Sequence, residues 1–174
     1  DIVPHVDLDI QKDVVPRLDS ALRLSVGLTT RTAAADCVAT LCRTCPNAFN
    51  WDGPSTTNPS VSLLRALYHS AERARGQAAR DKMTHALGIL SSLCPGSSVR
   101  SLALRACERY NSFGANDDPA ARKAAAFALR SIAVRASNKF SDGGSSDVWC
   151  RRVLPLSFLG MKDSDTTVAS LWKE

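Results

Sequence analysis

Aromatic residues make up only 6% of this 174-residue chain, and no apolar run approaches the ~20 residues needed to cross a bilayer. The missing run excludes a helical membrane span. The scarcity of aromatics, beside abundant Ala, Leu, Arg and Ser, favours helix over the Val-, Thr- and aromatic-rich strands of a sheet protein. Also absent are the patterns that cradle phosphate or expose a nucleophilic serine, namely G-x-x-x-x-G-K, G-x-G-x-x-G and G-x-S-x-G. The three histidines, His5, His69 and His85, have no H-x-x-x-H or H-E-x-x-H spacing, and each reads as a surface or packing residue. Asp7 with Asp9, and Asp163 with Asp165, stand where helices are expected to start, so capping accounts for them better than acid–base work. No enzyme, cofactor or metal is expected.

What is present is ordinary for a globular chain: 44% hydrophobic, 22% charged and a formal net charge of +5. A chain of this length buries about 70% of its unfolded surface, so a core needs no staple. The six cysteines (Cys37, Cys42, Cys45, Cys94, Cys107 and Cys150) are sparse for a disulfide scaffold. No leader pattern or Asn-x-Ser/Thr triplet accompanies them, and a cytoplasmic or nuclear setting is expected. Cys42-Arg43-Thr44-Cys45 is a C-x-x-C, but it precedes Pro46 at a helix C-terminus, where the dipole disfavours a thiolate. A second ligand pair for zinc is missing. The thiols read as small hydrophobes at helix interfaces.

The punctuation carries the organisation. Gly27, Gly76, Gly114 and Gly160, spaced by 49, 38 and 46, each follow an amphipathic stretch where a left-handed glycine would end a helix. Between them lie a second set of breaks: Pro46, Pro95 and the loop from Ser137-Asn138 to Gly144. The first pair predicts a helix over 8–26, with Ile10, Val14, Leu18, Ala21, Leu22 and Val26 on one stripe and a kink at Pro16. Its second helix presents Ala34, Cys37, Val38, Leu41 and Cys45. Asn58-Pro59 caps the next pair, which shows Val61, Leu64, Leu67, Tyr68 and Ala71, then Ala79, Met83, Ala86, Leu87, Leu90 and Cys94. An offset of 49 lays Cys94 on Cys45, Leu90 on Leu41 and Leu87 on Val38, an internal repeat. A third pair covers 98–113 and Pro119 to Ala136, the latter opened by Asp118-Pro119. A fourth, capped by Ser145 or Ser146, carries Val148, Trp149, Val153, Leu154, Phe158 and Leu159, and its second helix begins near Asp165.

Helix pairs recurring every ~40 to 47 residues are the mark of HEAT and armadillo arrays, whose units must share faces to bury them. The expected fold is therefore an all-α, α-α superhelix of about three and a half pairs, in one segment with repeats near 8–46, 58–95, 97–137 and 145–174. A closed bundle would not require breaks that repeat in register. The connections at 46–58 and 137–145 read as mobile polar loops. The chain opens on Asp1 and closes on Leu171-Trp172-Lys173-Glu174, which reads as helix with no stop signal. A piece of a longer solenoid is expected, and its uncovered end faces would let it self-associate.

Basic residues cluster at Arg73, Arg75, Arg80 and Lys82, at Arg122, Lys123 and Arg130, and at Arg151-Arg152. Without interleaved aromatics or a recognition helix they do not predict nucleic-acid binding. A solvated face, then an acidic protein partner, fits a charge of +5. Because the second helices of solenoid pairs generally line the concave surface, Arg80, Arg122, Lys123 and Arg130 are the expected partner contacts.

Particular strings then narrow the reading. Ser25-Val26-Gly27-Leu28-Thr29-Thr30-Arg31, the run Val153-Leu154-Pro155-Leu156-Ser157-Phe158-Leu159-Gly160-Met161, and the closing Leu171-Trp172 together resemble the large proteasome-associated HEAT-repeat adaptor and scaffold family, in its C-terminal half. The likeness spans roughly 25–174, with Val153 to Met161 its most specific part. It implies a long solenoid bridging the proteasome core and regulatory particles, acting in assembly quality control and stress-dependent remodelling, with no catalytic residue. It also implies helix-end roles for Gly27 and Gly160 and inter-repeat packing for Leu154, Phe158 and Leu159, with Pro155 bending its helix. An importin-like cargo solenoid is the alternative; its Trp-Asn ladder is absent from the second helices.

Overall fold

The structure, a computed structural model, describes residues 7, 9–24, 27–49, 58–111, 119–140 and 148–173. Helix α1 (Val15–Leu24), continuing a π-helical turn at Ile10–Val14, pairs with α2 (Leu28–Thr44). Then α3 (Pro59–Glu72) pairs with α4 (Gln77–Leu93), and α5 (Gly96–Asn111) with α6 (Pro119–Ala136). A shorter fourth unit follows: a π turn at Trp149–Val153, α7 (Leu154–Gly160) and α8 (Thr166–Leu171). There is no strand among the described residues. The second helices form one layer, α2 on α4, α4 on α6 and α8 on α6, while α1 lies along α3. A single apolar cluster runs from Val15 to Leu171 through every unit. This is the HEAT-like, all-α arrangement the spacing predicts: each unit is too thin to bury its own face and borrows its neighbour's.

The offset of 49 is expressed in three dimensions. Helices α2 and α4 each have 17 residues, are N-capped by Gly27 and Gly76, and end at Cys45 and Cys94. Every buried position of α2 (Arg31, Ala34, Ala35, Val38, Ala39 and Cys42) maps onto a buried position of α4 (Arg80, Met83, Thr84, Leu87, Gly88 and Ser91). Asn58 caps α3 by accepting from Ser60 N–H at 2.9 Å, with Pro59 at the first helical position. Asp165 caps α8, accepting from Thr167 and Val168.

Several expectations are corrected. No described glycine has a positive φ. Gly27 (φ −80°, ψ 128°) and Gly76 (φ −122°, ψ 148°) open helices from extended backbone rather than closing them. Gly160 is the last residue of α7, as expected of a helix end, but without a positive φ; it lies against the Trp172 indole, where a Cβ has no room. Asp9 is helical and makes no side-chain cap bond. The starts of the two expected loops are ordered: Pro46–Phe49 and Ser137–Phe140 form 3-10 turns that each deliver a buried phenylalanine to the core. Residues 50–57 of the loop expected at 46–58 and 141–145 of the loop expected at 137–145, with Leu8, Ser25, Val26, Phe113, Gly114, Asp118 and Ser146, lie outside the described residues.

The two prolines inside first helices share one solution. Proline lacks an N–H and its ring collides with the carbonyl four residues back. Ahead of Pro16 and of Pro155 the chain takes a π turn, in which Val15 N–H donates to Ile10 O and Leu154 N–H to Trp149 O. The extra residue of a π turn shifts the helix phase downstream. Burial therefore steps from Val148 to Val153, Leu156 and Gly160, and leaves Leu154, Phe158 and Leu159 at 41%, 64% and 64% exposure. Among the described residues those three lie at the surface rather than in the inter-repeat packing that the resemblance implies.

Candidate protein-interaction surface

Three of the four basic residues expected at a partner surface have partners within the protein. Arg80 is 4% exposed, and its Nη2 donates to Ala74 O at 2.6 Å. Arg122 faces Asp163 at 3.5 Å and Lys123 holds Asp165 at 2.7 Å. The Lys123 bond is the chief cause that holds the Asp165 carboxyl below its ordinary pKa, with the cap bonds from Val168 and Thr167 adding to it. Tyr110 joins the same cluster by donating to Asp163 Oδ2 at 2.6 Å, and its ring meets Trp172 edge-on at 5.5 Å. Burial, then the bond to Asp163, pushes the Tyr110 phenol upward. The flank of α6 that the sequence places outside is thus covered by the turn into α8. Arg130 is half-buried, lining a cleft of about 170 Å³ with Val134, Trp149, Leu154 and Trp172.

A periodic signal marks this internal role. Arg31, Arg80 and Arg122 are each the fourth residue of a second helix. The repeat that relates the helices relates these side chains too. Arg31 is buried like Arg80, and burial, then Arg73, depresses its pKa. Buried serines serve the same end, since helix C-termini leave carbonyls without partners. Ser70 Oγ donates to Leu22 O at 2.7 Å and Ser60 Oγ to Phe49 O at 3.0 Å.

The second-helix layer carries a different basic cluster. Arg43 of α2 and Arg135 of α6 approach opposite nitrogens of His85 on α4, at 2.8 Å from Nε2 and 3.0 Å from Nδ1. A neutral imidazole offers one acceptor nitrogen, so only one of the two contacts is a hydrogen bond in either tautomer. Burial, then Arg135 and Arg43, lowers the His85 pKa, against opposing pulls from Asp81 and Asp36.

On the first-helix side α3 and α5 leave a groove. Its two lobes, about 170 and 250 Å³, share Arg65, Leu102 and Arg105. Val61, Leu64, Ser98 and Ser101 complete one lobe, and Arg23, Tyr68 and His69 the other. Arg23 is held by Asp19 at 2.8 Å and by Ser62 O at 2.9 Å. Glu72 is shared between Arg109 at 3.3 Å and His69 at 3.5 Å. Burial, then Glu72, pushes the Tyr68 phenol upward, while Arg105 and Arg109 pull it down. Sequence reasoning passed over Arg65 and Arg105 because nothing local distinguishes them.

Among the described residues no three His, Cys, Asp or Glu side chains group as a metal site, and no helix is long and apolar enough to cross a membrane. Cys42, Cys94 and Cys107 are buried, as their reading as small hydrophobes requires, and burial lifts their pKa values to about 12, 12 and 11. Cys37 and Cys150 are exposed instead.

Comparison with known families gives a match. The family described as "Proteasome adapter and scaffold protein ECM29, HEAT-repeat domain" matches residues 1–111. No curated protein and no solved structure matches the chain.

Proposed function

This chain belongs to the HEAT-repeat family of the proteasome adapter and scaffold protein ECM29, and from that premise we propose that it is a non-catalytic scaffold segment of a proteasome-bound array. The family match over residues 1–111 carries the reading. The helical layers supply the physical means: a core shared from unit to unit makes a stiff rod-like element, and its two helix faces stay open to other proteins. In this role the segment would help tether the core particle to the regulatory particle and take part in checking their assembly, in the cytoplasm and nucleus. The internal pairing of Arg122 with Asp163 and of Lys123 with Asp165 fits such a function, because it fixes the rotation of one layer on the next.

Affinity capture from lysate with a tagged array containing this segment tests the proposal. Recovery of subunits of both proteasome particles is the expected result. Recovery of nuclear-transport cargo without proteasome subunits would reject it in favour of the importin-like alternative.

A further inference from the structure

We propose that the groove between α3 and α5 is a docking site for an acidic segment of a partner protein, with Arg65 and Arg105 gripping its carboxylates from opposite walls. Both arginines are exposed, and neither has a hydrogen bond or ion pair among the described residues. Their neighbours are different: Arg23 is spent on Asp19 and Arg109 on Glu72. Two guanidiniums left open on facing helices form a fork suited to planar, bidentate recognition of carboxylate.

A second observation points into the same place. Tyr68 lines the larger lobe, is 1% exposed, and its hydroxyl has no hydrogen-bond partner. Buried hydroxyls normally find an acceptor, so an orphan at the wall of a groove marks something that belongs there. A carboxylate lowered between Arg65 and Arg105 supplies that acceptor and meets positive charge on both sides. The lining favours polypeptide over nucleic acid: Val61, Leu64, Leu102 and Tyr68 are all buried, so the groove presents guanidiniums and no aromatic face for base stacking. The site therefore suits a strand or helix that presents spaced acidic side chains. The inference uses only the geometry of α3 and α5, so it stands or falls separately from the assembly the array serves.

The test is fluorescence anisotropy of a short fluorescein-labelled peptide of alternating Glu and Leu, titrated with the whole chain. Saturable binding that weakens as salt is raised is expected. Arg65→Glu and Arg105→Glu should each weaken it about fivefold or more, while Arg65→Lys retains part of the affinity and Arg17→Glu, on exposed α1 surface, changes nothing. Tyr68→Phe should weaken it by about threefold yet leave the thermal midpoint of the free protein unchanged or raised, since it removes an unsatisfied hydroxyl. Absence of saturable binding, affinity indifferent to both charge reversals, or a preference for labelled oligothymidylate over the peptide would overturn the proposal.

Discussion

The hydroxyl of Tyr110 donates to Asp163 Oδ2 at 2.6 Å across 53 residues of sequence, and the same carboxylate faces Arg122 at 3.5 Å. One acid from the turn before α8 is thus held by both helices of the third pair. Replacing Asp163 by Ala takes the acceptor from the buried Tyr110 hydroxyl and the facing carboxylate from Arg122. The expected cost is about 2–4 kcal/mol, read by urea denaturation, with hydrogen exchange rising first in α7 and α8.

Acid should loosen the same joint through Asp165. Its folded pKa is depressed, first by the bond from Lys123. The stabilisation is then complete above the unfolded carboxyl value of about 3.9 and is lost as pH falls through the lower folded value. Lys123→Ala should flatten the acid limb of a stability–pH profile below about pH 4.

His85 responds in a different window. Burial and the paired Arg43 and Arg135 lower its folded pKa, so the fold prefers the neutral ring. That preference contributes fully above the unfolded value of about 6.5 and disappears as pH drops through the folded value. An NMR titration should place His85 below an ordinary histidine, and Arg135→Ala should move it back upward.

Gly88 of α4 lies against Ser131 and Arg135 of α6. A Cβ there would stand 2.7 Å from Ser131 O and collide with the Ser131 hydroxyl. Gly88→Ala is expected to cost about 1–3 kcal/mol. At Gly76 an added Cβ meets nothing within 4 Å, and as an N-cap that position accepts serine with a gain of a few tenths of a kcal/mol. Thermal melting of the two variants separates a packing glycine from a capping one.

Thiol reactivity should divide the cysteines by burial. Cys37 and Cys150 are exposed, whereas Cys42 and Cys94 are buried with pKa values near 12. A maleimide pulse on the native protein, read by peptide mass, should label the first two and spare the others until denaturant is added.

The helical layers could be read in the sequence because their signals are local and repeat. The cap at Asn58-Pro59, the breaks at Pro46 and Pro95 and the offset of 49 all sit within a few residues of what they specify. The misreadings arose where distant parts decide. A π turn ahead of Pro155 rotated the apolar stripe, so Leu154, Phe158 and Leu159 face outward. Arg80 and Arg122 were expected as partner contacts, although their recurrence with Arg31 at one repeat position was a usable sign of a role in the packing of the repeat. The groove had no sequence signal, since Arg65 and Arg105 belong to different pairs and meet only through the divergence of α3 from α5. The family match, too, falls on 1–111 rather than on the run from Val153 to Met161 that carries the most specific resemblance.

Whether neighbouring units truly share one core is decided most directly by native-state hydrogen exchange of the whole chain across a denaturant series. The slowest amides of α2, α4 and α6 should merge into one opening event with a common denaturant slope, with α8 exchanging earlier. Separate openings for α3 with α4 and for α5 with α6, each with its own slope, would contradict a stacked array and indicate independent helical hairpins.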